Sequence, residues 1–576
     1  MIPVTLRTRA AVLPHVAVLA LLSVGAAGPA QAQQRPPAPP TSPTPTVAPS
    51  EQPGSPAQLL RAERENDPKI APDQRQGEGP FPKLIIRGAT VIDGTGAPPR
   101  GPVDIVIEGN RITSVASVGY PGVPIDSTKR PKGPAREIDG RGMYVIPGLV
   151  DLHVHQGTLA KAPESEYYNK LWLAHGITTV VGVPFASFEY SMKEKARSAK
   201  NEITAPRYVV YQRPGSGWQN GPVRTPEQAR AWVRWIARSG ADGLKLGAER
   251  PDIMAALLDE ARKQRLGSTA HLAQTGVAQM NADEATRLGL RTVTHFYGLF
   301  ESMYENTSVQ PFPTDINYNN EQDRFSQVAR QWTLVKPRGE KWNALLQRFK
   351  ERDVTLDPTM VAYLTGRDLF HHMYAPWHEK YTLPTLAAYY APSRTNHGSY
   401  WYYWTTADEV AWRNFYRVWM EFLNDYKNMG GRVTASSDAG FIYNTPGFST
   451  IQEMELLQEA GFHPLEVIRA ATFHAAETLA NASGKAVDVG AVRPGMLADI
   501  AILDHNPLTN LKVLYGTGAL KLDDSTGKPT QVGGVRWTIK DGIVYDAKQL
   551  LAEVGRMVDT QKARPKTTAS GEPARP

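Results

Sequence analysis

None of the 576 residues of the sequence is a cysteine. This absence excludes disulfide bonds, thiolate metal ligands, a cysteine nucleophile and a lipid anchor attached through cysteine. The sequence also lacks a Gly-x-Ser-x-Gly motif, so it offers no serine nucleophile of the elbow type. The chain therefore offers neither a cysteine nucleophile nor an elbow-type serine nucleophile.

Long runs of one residue class are also scarce. The formal net charge is +7, but no long run of lysine and arginine occurs, and we predict no nucleic-acid partner. Beyond residues 1–32, no stretch is long and apolar enough to cross a bilayer. A hydrophobic content of 41% and a length of 576 residues indicate a globular protein with more than one domain.

The first 32 residues have the pattern of a secretory signal peptide. Arg7 and Arg9 form a basic start, residues 10–28 are mostly apolar, and Ala30-Gln31-Ala32 has the small-x-small form of a cleavage site. The alternative is an uncleaved membrane anchor, for which the apolar run is short. We expect cleavage after Ala32 and a mature protein in a bacterial periplasm or outside the cell, without a stable membrane span.

Composition divides the rest of the chain into a central part and two ends. Residues 33–80 are rich in proline, serine, threonine and glutamine and predict a disordered linker, and residues 556–576 predict a disordered tail. Residues 81–146 and 486–555 contain short β-like segments separated by turn residues. They predict two separate hairpin clusters or, as we favour, one small β-sandwich closed by both chain ends.

In residues 147–485, strand-like and helix-like segments alternate, which is typical of βα units around a parallel sheet. Helices are expected at Thr225–Ser239 and Pro251–Arg265. The number of strand candidates is the number that a (β/α)8 TIM barrel requires. They are Met143–His155, Ile177–Val183, Arg207–Tyr211, Gly243–Leu246, Ser268–Leu272, Thr292–Phe296, Val354–Pro358 and Val433–Ser437.

A helical, aromatic-rich insertion is expected at about residues 299–430, because the connections around the seventh predicted strand are far longer than ordinary βα loops. It contains the run Tyr400-Trp-Tyr-Tyr-Trp404. These aromatic residues predict a subdomain with its own core, a lid over the barrel mouth that shapes the substrate site, or both.

The most specific chemical signal is the segment Val145-Ile-Pro-Gly-Leu-Val-Asp-Leu-His-Val-His155. Alternate residues of a strand point to the same side, so His153 and His155 project together where the strand ends. Two neutral imidazoles in this arrangement suit a divalent transition metal. Further candidate ligands fall at the ends of the fourth, fifth, sixth and eighth predicted strands, namely Lys245, His271, His295 and Asp438.

Barrel active sites lie at the C-terminal ends of the strands, so all these side chains are expected to converge on one mouth. Each of them alone has a simpler explanation as a surface, core or helix-capping residue. Their joint placement favours a metal site. Other histidines are interpreted as packing or surface residues, namely His371, His372, His463 and His474.

The whole pattern resembles the metal-dependent amidohydrolase superfamily, and in particular its imidazolonepropionase- and prolidase-like branch. Gly495-x-Leu-Ala-Asp499 also resembles the strand that returns to the β domain in that family. The resemblance implies two divalent metal ions, zinc in the first place, although manganese, cobalt or iron would also suit such ligands. It implies that Lys245 takes up CO2 and bridges the ions as a carbamate. It places His153, His155 and Asp438 at the more buried ion, and His271 and His295 at the more exposed one.

The resemblance further implies hydrolysis of an amide C–N bond in a dipeptide or an N-acyl amino acid. A water shared by two divalent ions becomes hydroxide near neutral pH, and Asp438 can accept its proton and deliver it to the leaving nitrogen. Tyr211, Arg213 and Tyr297 lie at or just beyond strand ends and are candidate substrate contacts.

Alternative functions stay open at this point. The same site could act on lactones, cyclic amides or phosphotriesters, because one barrel hosts many chemistries. The barrel could also be a non-catalytic periplasmic binding protein. In each case the expected partner is a small molecule, and whether the chain forms a homo-oligomer is left open.

Overall fold

The computed structural model describes residues 56–73, 76–393, 397, 400–484, 486 and 488–564. The predicted signal peptide and residues 33–55 of the predicted linker lie outside the described residues. No helix within the described ranges is long and apolar enough to span a membrane. The described residues form a (β/α)8 barrel, a small β domain to which both chain ends contribute, and a helical insertion.

The first strands of the chain belong to the β domain. β2 pairs antiparallel with β1 and with β3, while β4 and β5 both lie parallel to β1. The apolar side chains of these strands form the buried core of the domain. The strands are β1 (Leu84–Val91), β2 (Arg100–Glu108), β3 (Arg111–Ser117), β4 (Arg136–Asp139) and β5 (Tyr144–Pro147).

The next strands form the barrel, and every neighbouring pair is parallel. The ring closes where Val154 bridges Ala439, and the backbone N–H of His155 donates to the Ala439 carbonyl at 3.0 Å. The predicted TIM barrel is therefore confirmed. Its strands are β6 (Leu149–Val154), β7 (Ile177–Gly182), β8 (Arg207–Gln212), β9 (Gly243–Leu246), β10 (Gly267–His271), β11 (Thr292–Thr294), β12 (Thr355–Asp357) and β13 (Arg432–Val433).

The last strands return to the β domain. β14 pairs antiparallel with β5 and with β17, so strands from both chain ends form one sheet in the order β18-β17-β14-β5-β1-β2-β3, with β4 beside β1. β15 and β16 form a separate hairpin. These strands are β14 (Ile500–Leu503), β15 (Ala519–Asp523), β16 (Lys528–Val532), β17 (Val535–Lys540) and β18 (Ile543–Asp546).

The predicted first barrel strand, Met143–His155, is two strands in the structure. β5 belongs to the β domain and β6 to the barrel, with Gly148 between them. A Cβ atom at residue 148 would lie 2.2 Å from Thr178 Oγ1, so only glycine lets the chain pass this close to β7. The sequence did not reveal this break because the segments on both sides of it are apolar.

Helices cover the barrel and build the insertion. Both helices expected from the sequence are present, and Thr225 caps the first of them in a capping box with Gln228. The helices are α1 (Pro56–Glu65), α2 (Glu166–Ala174), α3 (Phe188–Ala199), α4 (Pro226–Arg238), α5 (Pro251–Gln264), α6 (Ala282–Arg287), α7 (Glu321–Val328), α8 (Glu340–Glu351), α9 (Leu364–Met373), α10 (His378–Tyr381), α11 (Pro384–Tyr390), α12 (Thr406–Asn428), α13 (Phe448–Glu459), α14 (Pro464–Ala470), α15 (Phe473–Ser483) and α16 (Ala547–Ala563).

The aromatic residues of the insertion serve as a core and as a wall of the barrel mouth. Phe415 and Trp419 of α12 are buried and pack edge-on against Phe296, with ring centroids 4.9 and 5.3 Å apart. Phe325 and Tyr363 instead line a cavity at the mouth. The insertion is therefore both a packed subdomain and part of the enclosure of that cavity.

Two segments that the composition predicts as disordered are partly ordered. Within the predicted linker, α1 is followed by residues that bond to the barrel. For example, the Lys69 N–H donates to the Pro163 carbonyl at 2.8 Å. Within the predicted tail, α16 continues to Ala563 and buries Val558. Composition underestimated this order because a few anchoring contacts to the rest of the fold hold segments that would be unstable alone.

Candidate metal centre

The structure brings all six predicted ligands to one cavity of about 1000 Å³ at the C-terminal ends of the barrel strands. Each residue occupies the end of a strand or follows it closely, so the parallel sheet aims the side chains at a common point. The six residues, with their strands, are His153 and His155 (β6), Lys245 (β9), His271 (β10), His295 (β11) and Asp438 (β13).

Asp438 lies at the centre of this group. Its Oδ1 atom is 3.5 Å from His153 Nε2 and 3.2 Å from His155 Nε2, and its Oδ2 atom is 3.8 Å from His295 Nε2. The ligand atoms of His153, His295 and Asp438 all lie within 4.8 Å of one another. Imidazole nitrogens and a carboxylate at this spacing form a donor set that a divalent transition metal accepts.

Hydrogen bonds on the far side of two rings set their tautomers. His155 Nδ1 lies 3.2 Å from the Pro184 carbonyl, which only an N–H can satisfy. His295 Nδ1 bonds the Thr359 hydroxyl, which donates its own proton to the Pro358 carbonyl and therefore accepts from the ring. Both Nε2 atoms thus present a lone pair to the cavity. The buried His295 Nε2 has no hydrogen-bond partner among the described residues, which fits a metal ligand.

The backbone is strained where ligands project. His295 has a φ of 66° and Asp438 a φ of 52°, and Thr359, beside His295, has a φ of 47°. Residues other than glycine seldom adopt this left-handed region, and such strain gathers at functional sites where the surroundings impose it. The strand ends are therefore shaped to direct these side chains into the cavity.

Burial keeps the imidazoles neutral. It lowers the pKa of His155 to about 4 and also lowers the pKa values of His153, His271 and His295, so all four rings are available as neutral ligands near pH 7.

Lys245 is buried with 4% of its surface exposed, and its Nζ atom is 3.0 Å from His153 Nε2. Burial lowers the pKa of the Lys245 ammonium to about 7. A substantial fraction of the side chain is therefore a neutral amine at neutral pH, which is the form that can react with CO2.

Three residues that bear on the site were not predicted from the sequence. Asp357 and Thr359 lie at the end of the seventh barrel strand, and Asp357 Oδ2 is 3.7 Å from His153 Nδ1. Lys161, in the loop after β6, lines the cavity. The first two could have been found, because the same strand-end rule that selected His271 and His295 also selects them.

The predicted substrate contacts do not all reach the cavity. Arg213 and Tyr297 line it, and the Tyr297 ring lies 4.5 Å from that of His271. Tyr211 is instead buried in a separate cluster, with its ring against Gly243 and Gly267 at the N-terminal ends of β9 and β10. These strand ends lie opposite the mouth, so Tyr211 packs inside the fold.

The histidines that were interpreted as packing or surface residues lie away from the cavity. His372 Nε2 bonds the Ile442 carbonyl and Asn444, and His474 Nδ1 bonds the Val433 carbonyl. His463 caps α14, and His371 is exposed.

We expect Thr359→Val to lower the affinity for a divalent metal by about 10- to 100-fold, because His295 loses the acceptor that fixes its tautomer. Valine keeps the β-branched shape of threonine, so the backbone strain is matched. Competition with a chromogenic chelator would measure the affinity. Thr359→Ser keeps the hydroxyl and is expected to bind metal as the wild type does; equal affinities for all three proteins would contradict the assignment.

Comparisons with known proteins give short sequence matches and extensive structural ones. No family model matches the chain. An N-acyl-D-aspartate deacylase from Alcaligenes xylosoxydans xylosoxydans is 38% identical over 100 residues, which is 17% of each chain. An adenine deaminase from Methanoculleus marisnigri is 51% identical over 49 residues, 8% of this chain and 9% of that relative. The chain thus matches less than a fifth of the length of either relative.

Solved structures match over most of the chain. A Xaa-Pro dipeptidase with bound methionine in its active site has a TM-score of 0.52 at 17% identity, over 81% of this chain and 100% of its own. Molinate hydrolase has a TM-score of 0.54 at 16% identity, over 87% and 100%. Bottromycin amidohydrolase has a TM-score of 0.55 at 18% identity, over 87% and 93%. The fold that the resemblance implies is confirmed, since the chain shares it with these solved hydrolase structures over most of its length.

Proposed function

We propose that this protein is a hydrolase that cleaves an amide C–N bond with the help of two divalent metal ions, and that its substrate is a dipeptide or an N-acyl amino acid. The observation that carries the proposal is the convergence of four neutral histidines, a buried lysine and a carboxylate on one cavity. The fold shared with amidohydrolase-type structures supports it.

We propose that the six residues hold two ions. His153, His155 and Asp438 would hold one ion, and His271 and His295 the other. When bound, such ions lower the pKa of a coordinated water and polarise the scissile carbonyl. Lys245 would join the two groups as a carbamate, for which its amine nitrogen bonds the carbon of CO2 and releases a proton.

Asp438 is the group best placed to move protons. Its carboxylate oxygens face His153, His155 and His295, and the backbone holds it rigidly, since its own N–H donates to the His153 carbonyl at 2.8 Å. We assign it the uptake of a proton from the attacking water and its delivery to the leaving nitrogen. This assignment needs no serine or cysteine nucleophile.

Two cations on the cavity wall support a substrate that carries a carboxylate. Lys161 and Arg213 both line the cavity, and Asp438 is the acidic group whose charge acts on each of them. Lys161 is held by the Gly440 carbonyl at 3.3 Å and by the Tyr389 ring, whose centroid is 3.9 Å from Nζ. A C-terminal carboxylate would complement this pair.

The test is to incubate the mature protein with a mixed pool of dipeptides and N-acyl amino acids and to follow each compound by mass spectrometry. We expect a subset to disappear, loss of this reaction with a chelator, and its recovery when zinc is restored. Amidated counterparts, which lack the carboxylate, are expected to react at least about tenfold more slowly.

Protein shown to contain about two metal ions per chain that hydrolyses nothing in the pool would contradict the amide-hydrolase proposal. Lactones, cyclic amides and phosphotriesters would then be the substrates to test. A protein that binds no metal and is indifferent to the chelator would point to a binding protein. The signal-like pattern up to Ala32 supports export as part of the proposal, and fractionation of the producing cells would test that location.

A further inference from the structure

Residues 56–73, which we call the N-terminal segment, precede the β domain and are bonded to the barrel mouth. The Ser165 hydroxyl donates to the Lys69 carbonyl at 2.8 Å. Asp67 accepts two bonds from Ser187, one from its N–H at 2.8 Å and one from its hydroxyl at 2.6 Å. Ser187 is itself the cap of α3, so the segment is anchored to two of the loops that follow barrel strands. It is therefore a built part of the mouth.

The N-terminal segment also forms one wall of the cavity that contains the candidate metal centre, through Leu60, Glu63, Asn66 and Asp67. Of the two acidic residues that the segment contributes to this wall, Asp67 already has both oxygens bonded to Ser187. Glu63 is different, because among the described residues no lysine or arginine pairs with it. The Gly217 backbone N–H lowers the pKa of its carboxyl group, and Asp67 is the charged group that acts on it.

Glu63 is therefore a carboxylate at a ligand cavity without a cation of its own. Glu63 is an exposed residue, and partial burial of its carboxyl group, followed by the negative charge of Asp67, raises its pKa. A cationic group of a ligand at this position would relieve both effects, because it would provide the missing counter-charge. The same cavity carries the opposite sign at Lys161 and Arg213, so its wall has both acidic and basic positions.

We propose that Glu63 is a specificity-determining residue that binds a cationic group on the acyl side of the scissile bond. This inference rests on the proposed function, in which Lys161 and Arg213 bind the carboxylate on the amine side. A dipeptide carries an ammonium and a carboxylate on opposite sides of its amide, whereas an N-acyl amino acid carries the carboxylate alone. The acidic wall therefore favours the dipeptide over the N-acyl amino acid.

The cation could be an α-ammonium or a basic side chain, and matched substrates separate these sources. Let X be the C-terminal residue preferred in the pool experiment; the substrates are then Ala-X, Nα-acetyl-Ala-X and Nα-acetyl-Lys-X. We expect Glu63→Gln to lower kcat/KM for the cationic substrates by about tenfold relative to that for Nα-acetyl-Ala-X, mostly through KM. Glu63→Lys is expected to reverse the preference, so that the acetylated alanine substrate becomes the best of the three.

The matched control is Glu65→Gln, on the same helix, whose carboxylate pairs with Arg61 at 2.8 Å and does not line the cavity. It is expected to leave all three kcat/KM values unchanged. If Glu63→Gln lowers kcat/KM relative to that for Nα-acetyl-Ala-X only with Ala-X, the bound cation is the α-ammonium. If it lowers this ratio only with Nα-acetyl-Lys-X, the bound cation is a basic side chain. If wild-type protein hydrolyses these substrates and Glu63→Gln and Glu63→Lys leave every ratio unchanged, the inference is wrong. If wild-type protein hydrolyses none of them, the proposed function has failed instead.

Discussion

Asp438→Asn is expected to lower kcat by about 10³-fold, because the amide side chain cannot take up and deliver a proton. The substitution keeps the size and hydrogen-bonding shape of the side chain at a position where φ is 52°, a conformation that asparagine tolerates well. The fold should therefore survive, which a thermal unfolding curve would show. Initial rates on the substrate that the pool experiment identifies, together with the metal content of the purified protein, would measure the effect.

The control for this variant is Asp524→Asn, an exposed residue of the β15–β16 hairpin. It should match the wild type in both rate and metal content. Retention of full activity by Asp438→Asn would remove Asp438 from the mechanism. If Asp438→Asn loses metal but reaches the wild-type rate once metal is restored, Asp438 acts only as a metal ligand.

Lys245→Ala is expected to lower kcat/KM by about 10³-fold and to lower the metal content, because the proposed metal ions would supply several kcal/mol of transition-state stabilisation and Lys245 is proposed to bridge them. The side chain is buried, so alanine leaves a cavity next to His153. Formate or acetate can enter this cavity and offer the two oxygens of the proposed carbamate. We expect these small carboxylates to restore part of the activity in a concentration-dependent way.

Lys245→Met tests whether small carboxylates restore activity only when they can occupy the space that the lysine side chain leaves. Methionine fills the same volume with apolar atoms, so its activity should be as low as that of the alanine variant and should not recover with formate. Full activity and full metal content in either variant would exclude a bridging role. Equal recovery of both variants would show that formate acts elsewhere.

The candidate metal centre could be predicted from the sequence because each candidate ligand is tied to a local pattern. His271 and His295 each follow a short run of strand-forming residues and are separated by one βα unit. His153 and His155 alternate along one strand. Parallel strands of a barrel end at the same face, so the positions of the strand ends along the chain are enough to predict that these residues meet.

Two of the predictions that differ from the structure do so because local sequence does not record contacts between distant residues. Residues 56–73 have the composition of a linker, yet Asp67 and Ser187 hold this segment at the mouth. Tyr211 follows the same strand-end rule as the histidines, but its ring points to the opposite end of the barrel, against Gly243 and Gly267. Composition and strand position describe the chain locally, whereas these outcomes depend on which distant residues offer a partner or leave space.

The sequence by itself determined the barrel, the strands that build it apart from the break at Gly148, and the chemical types of the candidate ligands, because these follow from local periodicity and residue identity. Only the tertiary structure decided how the site is tuned. Thr359 sets the tautomer of His295 across 64 residues of chain, and Asp67 anchors the N-terminal segment to Ser187 across 120. Contacts of this range depend on how the packed elements meet, and no local pattern records that geometry.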